Sequence, residues 1–123
     1  MIFDTDVLIW ALRKRPSALD AIDAAERRLV SVASRLELLQ GVRDKRELKL
    51  LEVFLRDFEI IPLSGAIGTT AVRVMEHVAL KTQLSPIDSL IAATAIDVGE
   101  TLCTANVKHF KAVPELQLCP YNP

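Results

Sequence analysis

Residues 1–12, Met1-Ile2-Phe3-Asp4-Thr5-Asp6-Val7-Leu8-Ile9-Trp10-Ala11-Leu12, decide the fold. Met1 to Asp4 reads as a short buried strand that stops on a carboxylate, and short apolar runs of this kind suit a strand covered on both faces. Val7 to Leu12 is apolar almost throughout and suits a buried helix, ended by the basic run Arg13-Lys14-Arg15 before Pro16. A strand passing directly into a helix is the opening of an alternating α/β chain.

The rest of the sequence repeats that alternation. Ser17 to Glu26 predicts a second short helix, Leu29 to Val32 a strand, and Ser34 to Gly41 a helix. From Lys45 to Phe58 the apolar residues Leu48, Leu51, Leu55 and Phe58 form one stripe at a period near 3.6, the mark of a surface helix. Glu59 to Leu63 reads as a third strand, and Ile67, Ala71, Val74, Met75 and Val78 mark a long amphipathic helix. Pro86 to Gly99 is helical and apolar nearly all round. Thr101 to Thr104 and Leu116 to Cys119 complete the strands. The expected architecture is a three-layer α/β/α sandwich, with a four- to five-stranded, mostly parallel sheet in a single domain over residues 1–123.

Composition narrows the classes. The chain has 123 residues, 15 basic and 16 acidic, for a net charge of −1. Half of the residues are apolar, which excludes a disordered chain. No apolar run approaches the ~20 residues needed to span a bilayer, and no signal peptide is visible, so a cytoplasmic protein is expected. Cys103 and Cys119 are too few for a disulfide framework or a zinc site. The charges are uneven: residues 1–61 hold 11 of the 15 basic and 11 of the 16 acidic residues. An apolar content this high in a small domain predicts a surface used for a partner or for self-association.

Ligands of parallel sheets gather off the carboxyl ends of the strands. Asp4, Ser34 to Glu37, and Thr104 to Asn106 all follow predicted strand ends, and Asp88 joins them if its helix starts on that edge. Asp4, Asp6, Glu37, Asp88 and Asn106 form an oxygen-rich set suited to Mg²⁺ or Mn²⁺. Carboxylates held close together repel, and a divalent ion relieves that repulsion. A plainer reading competes with this one. Ser34-x-x-Glu37 and Ser85-x-x-Asp88 both have the spacing of a helix capping box, and Asp4 or Asp6 fits a helix cap. Ser17-x-x-Asp20 has that spacing with no chemistry attached. Glu37 and Asp88, however, lie among apolar residues, where an unpaired charge is expensive, and Gly41, Ala92 and Ala95 would leave space beside them.

Four segments together resemble the PIN-domain proteins, specifically the VapC-type toxins of toxin–antitoxin pairs. They are Ile2-Phe3-Asp4-Thr5-Asp6-Val7-Leu8-Ile9, Ser34-Arg35-Leu36-Glu37-Leu38-Leu39-Gln40-Gly41, Pro86 to Ala95, and Leu102-Cys103-Thr104-Ala105-Asn106-Val107-Lys108-His109-Phe110. The resemblance implies a Mg²⁺- or Mn²⁺-dependent endoribonuclease. Asp4, Glu37 and Asp88 match its catalytic, metal-binding acidic triad. Asn106 falls at a position the family fills with Asp or Asn, a metal ligand directly or through water; Asp6 stands where the family more often has Asn or Ser, adding either a metal ligand or only a charge; and Thr5 and Thr104 match supporting hydroxyls. The implied partners are an RNA substrate, a cognate antitoxin and a second copy in a homodimer. The departure lies at Asn106, where many relatives carry a carboxylate.

The same residues bear on other functions. A phosphorylation-receiver domain needs a phosphoacceptor Asp after its third strand, and Ile61-Pro62-Leu63-Ser64 supplies none. A haloacid-dehalogenase-type phosphatase could use Asp4 and Asp6, but it needs a later catalytic Lys and acidic pair that this charge-poor C-terminal half does not offer. A PIN-like module that binds antitoxin or RNA without appreciable cleavage is the alternative that Asn106 leaves open. His77 and His109 read as structural or solvated, and Arg13, Lys14, Arg15, Arg43, Lys45 and Arg46 read as either RNA-phosphate contacts or a solvated rim.

Overall fold

Ile2 and Phe3 point to opposite faces of the sheet, as successive strand residues must, and neither is exposed to solvent. A two-residue strand buried on both sides can only be central. In the computed structural model, which describes residues 1–123, β1 (Ile2–Phe3) is the middle of five strands. The others are β2 (Leu29–Ser31), β3 (Glu59–Ile61), β4 (Leu102–Thr104) and β5 (Leu118–Pro120). Their spatial order is β3-β2-β1-β4-β5, and every pairing is parallel.

Seven helices cover the sheet: α1 (Thr5–Leu12), α2 (Pro16–Asp23), α3 (Val32–Gln40), α4 (Lys45–Leu55), α5 (Gly65–Val78), α6 (Pro86–Val98) and α7 (Val107–Phe110). Strand alternation divides the core in two. Phe3, Val30 and Cys103 pack with Val7, Leu8, Ala18, Ile22, Leu51 and Leu55 on the side of α1, α2 and α4. Ile2, Leu29 and Leu102 pack with Val74, Val78, Ile91, Ala95 and Phe110 on the side of α5, α6 and α7. Each of these strands therefore reads as a continuous apolar run while serving both layers.

The expected sandwich and its five strands are present, with shifted boundaries. α1 begins at Thr5 rather than Val7, which brings Asp6 into its first turn. α2 ends at Asp23 and α4 at Leu55, short of the expected Glu26 and Phe58. α6 stops at Gly99, whose φ of +70° closes the helix in the left-handed conformation that glycine adopts freely. The capping box expected at Ser34 is absent. Ser31 is the N-cap of α3, its Oγ accepting from Ala33 N, so Ser34 lies inside the helix and is fully buried. No helix is long and apolar enough to cross a membrane.

The chain runs outward from β1 through β2 to β3, then returns across the sheet to place β4 on the other side of β1. The order therefore reverses between β1 and β4. Crevices of parallel sheets open at the carboxyl ends of such a pair. Asp4 follows β1 and Thr104 ends β4, so both stand at that reversal.

Candidate metal centre

Asp4 is the buried acid of this edge, 5% exposed. One oxygen, Oδ1, accepts from the Thr5 backbone N–H at 2.8 Å as the cap of α1. The other, Oδ2, accepts from Thr104 Oγ1 at 2.7 Å. Both bonds favour the ionised carboxylate, yet burial and the neighbouring Asp6 outweigh them and push the group up to about 7, with Asp88 adding to the effect. The site thus holds a charge that its own hydrogen bonds do not fully stabilise.

Asp6 sits one half-turn further along α1. Its Oδ2 accepts from the Ala105 N–H at 3.1 Å, tying the first turn of α1 to the loop after β4. Its Oδ1 is buried and has no hydrogen-bond partner. Burial raises its pKa despite the bonds from Ala105 and Val7, and Asp88 raises it further. Asp4, Asp6 and Asp88 therefore share one electrostatic field.

Glu37 reaches the same edge from the second turn of α3. Thr5 Oγ1 donates to Glu37 Oε1 at 2.6 Å and lies 3.0 Å from Ser34 Oγ. Thr5 connects two acids, its N–H holding Asp4 and its hydroxyl holding Glu37. Ser34, which sequence spacing assigned to a cap, is instead the third member of this hydroxyl chain. Nothing in the sequence marks that role, because it depends on the strand ending at Ser31 and the helix phase that follows.

Asp88 caps its own helix. Ser85 Oγ accepts from Asp88 N at 3.0 Å, and Asp88 Oδ2 accepts from Ser85 N at a long 3.3 Å, so this capping box is present. Pro86 occupies the first turn, as helix starts prefer. Glu37 and Asp88 are half-buried, and the apolar enclosure expected around them is not found. Ala92 and Ala95, expected to leave open space beside Asp88, are fully enclosed in the core. Asn106 is also half-buried; its N–H donates to Thr104 Oγ1 at 2.9 Å, so Thr104 links the Asn106 loop to Asp4.

The carboxylates do not close around one point: no three acidic, His or Cys side chains form a set able to enclose an ion as they stand. Only Asp4 and Glu37 are linked, through Thr5, and each of the four acids accepts from a donor of its own. None of the four acids forms a salt bridge, although six such bridges exist elsewhere in the molecule. Four acidic groups at one edge, none of them in a salt bridge and one with a buried unpaired oxygen, offer the oxygen chemistry that Mg²⁺ or Mn²⁺ prefers, without a closed set of ligands.

A groove of about 600 Å³ adjoins the site. Ile9, Leu12, Leu38 and Leu51 line it together with Arg13, Glu37 and the ion pair of Arg43 with Glu47. Trp10 stands beside it under two guanidinium groups, Arg13 at 5.6 Å and Arg15 at 5.2 Å from the ring centre.

A family model described as the PIN domain matches residues 1–116. The chain is 34% identical over 121 residues to the ribonuclease VapC19 of Mycobacterium tuberculosis, covering 94% of this chain and 96% of that protein. It is 26% identical over 123 residues to the ribonuclease VapC1 of Methanocaldococcus jannaschii, covering 99% and 87% respectively. Among solved structures, it superposes on a toxin–antitoxin complex from Klebsiella pneumoniae with a TM-score of 0.85, at 27% identity and 99% and 98% coverage. It matches VapBC2 of Rickettsia felis, bound to promoter DNA, with a TM-score of 0.86 at 24% identity and 99% and 100% coverage.

Proposed function

The chain belongs to the PIN-domain family, and on that premise we propose that it is a metal-dependent endoribonuclease, the toxin of a toxin–antitoxin pair. The observation that carries this reading is the set of four cation-free acids at the β1/β4 reversal, with Asp4 pushed up to about 7 and Asp6 Oδ1 unpaired. Such a set costs stability unless something positively charged completes it.

In this reading Asp4, Glu37 and Asp88 hold Mg²⁺ or Mn²⁺. When bound, that ion supplies Lewis-acid polarisation of an RNA phosphodiester and activation of water for hydrolysis. The protein's own side chains prepare the site. Thr104 and the Thr5 N–H fix both oxygens of Asp4, so its carboxylate presents one orientation. Thr5 Oγ1 does the same for Glu37. Asp88 uses one oxygen in a long capping bond and keeps the other free for a ligand. No side chain stands as a covalent nucleophile, and His77 contacts Lys81 rather than the acids.

The partners in this reading are an RNA substrate, a cognate antitoxin and a second copy of the chain. The groove beside Glu37 suits an antitoxin segment, with Ile9, Leu12, Leu38 and Leu51 for its apolar side chains and Arg13 for an acidic group, Arg43 being paired with Glu47. The protein acts in the cytoplasm.

The test is cleavage of total RNA by the purified chain, stripped of metal and then supplied with Mn²⁺. Cleavage appears with Mn²⁺, disappears with EDTA, and is absent in Asp4→Asn at unchanged circular dichroism. Cleavage that persists under chelation contradicts the proposal, and a folded wild-type chain without cleavage favours a binding module.

A further inference from the structure

Helix α1 runs out into three consecutive cations, Arg13, Lys14 and Arg15. Lys14 N–H donates to Ala11 O at 2.9 Å and Arg15 N–H to Trp10 O at 3.0 Å, the pair of bonds that closes a helix on a left-handed residue. Lys14 is that residue, with φ +64°, in a place where glycine or asparagine is the ordinary choice. Arg15 follows as the N-cap of α2 and makes no side-chain capping bond. Serine or aspartate would cap that helix, and the positive end of its dipole repels an arginine. Two successive positions thus carry a cation where a neutral or acidic residue would be more stable, and helix capping does not explain the choice. The closure folds Arg15 back over Trp10, 5.2 Å from the ring centre, and Arg13 lies over the same ring at 5.6 Å.

All three cations are exposed, and none belongs to a salt bridge. A guanidinium seated on an aromatic face keeps its in-plane N–H donors for an oxyanion, which they grip in pairs. Trp10 follows Asp6 by four residues, so the two share a face of α1 about 6 Å apart along its axis, and Arg13 continues that face one turn on. We infer that Arg13 and Arg15, seated on Trp10, clamp backbone phosphates of an RNA strand that leaves the acidic edge along α1. This rests on the proposed ribonuclease reading and gives the substrate its path away from the acids. The clamp positions the strand and touches no reacting atom. Trp10 holds the two like charges side by side before phosphate arrives, so less side-chain freedom is lost on binding. Arg43, by contrast, is neutralised by Glu47, and Lys45 and Arg46 have no ring to seat them. Arg13 also lines the groove but Arg15 does not, which favours a strand along α1 over an acidic peptide in the groove as the clamp's ligand.

The experiment follows the fluorescence anisotropy of a labelled single-stranded RNA oligonucleotide of mixed sequence, titrated with the full chain in EDTA at several salt concentrations. Arg13→Gln/Arg15→Gln weakens binding about tenfold or more and flattens the slope of log affinity against log salt by about 1.4, the loss of two phosphate contacts. Arg13→Lys/Arg15→Lys keeps both charges and still loses about fivefold, since an ammonium neither forks onto a phosphate nor lies flat on an indole. Lys45→Gln/Arg46→Gln removes the same charge from exposed sites on α4 and changes affinity less than about threefold. Equal losses in the two glutamine pairs reduce the effect to net charge and overturn the inference, as does a lysine pair that binds like wild type. An Arg13→Gln/Arg15→Gln chain that binds RNA normally but loses affinity for polyglutamate also overturns it, and assigns the cations to an acidic protein segment. Failure of the ribonuclease reading shows separately, as a wild type that binds the oligonucleotide but cuts no RNA with Mn²⁺.

Discussion

Thr104 Oγ1 donates to Asp4 Oδ2 at 2.7 Å, joining residues one hundred positions apart across the reversal between β1 and β4. The same hydroxyl oxygen accepts from Asn106 N. Thr104 is fully buried, so neither bond has water as a substitute. Replacing it with valine keeps the volume and removes both. Thr104→Val is expected to cost about 1–3 kcal/mol of stability in urea denaturation and to lower RNA cleavage at saturating Mn²⁺.

Asp4 makes the ion-free protein sensitive to pH. Its ordinary value is 3.8 and its folded value about 7, so between these limits the native chain binds a proton that the unfolded chain has lost. Stability from this group is therefore complete below pH 4 and is lost as pH rises through 7, by at most on the order of 4 kcal/mol. Denaturation of metal-free protein at pH 5 and pH 7.5 measures the fall. In Asp4→Asn this contribution disappears, and the variant is more stable than wild type at pH 7.5 without metal. Equal pH dependence in the two proteins contradicts the assignment.

Thr5 joins Asp4 to Glu37, and only its hydroxyl touches Glu37. Thr5→Val leaves the backbone cap on Asp4 in place and frees the Glu37 carboxylate to rotate. Mn²⁺ affinity should drop about tenfold, with cleavage falling alongside it, while the melting temperature changes by only a few degrees. Calorimetry and a thermal scan on one sample check both halves.

Ser31 and Ser34 separate helix capping from site geometry. Ser31→Ala removes the N-cap of α3 and costs about 1 kcal/mol. Ser34→Ala removes the hydroxyl beside Thr5 and is expected to weaken Mn²⁺ binding more than it weakens the fold. Denaturation and Mn²⁺ titration of the two variants should move in opposite proportions. Equal proportions would place both serines in the same structural role.

Much of this was legible in the residues. The alternation of apolar runs and amphipathic stripes located all five strands and six of the seven helices, because burial on two faces leaves no other pattern for β1, β2 and β4. Only α7, a single turn, escaped it. Asp4 and Thr104 to Asn106 are readable as an edge because each lies at or just after a strand end. The cap of α3 was not, since Ser31 and Ser34 have the same chemistry and only the end of β2 distinguishes them. The hydroxyl chain from Ser34 to Glu37 joins α1 to α3, and local spacing carries no information about a contact between helices. The strand order β3-β2-β1-β4-β5 likewise depends on long-range pairing.

Because β1 is two residues long and lies between β2 and β4, its position depends on a strand translated long after it, Ile2 pairing with Leu102. A growing polypeptide that has not yet emerged past Thr104 already carries Asp4, Glu37 and Asp88. It lacks the hydroxyl that orients the first of them and the loop that holds Asp6. The acidic edge thus takes its shape only after Thr104 and Ala105 have left the ribosome, however early its acids were made.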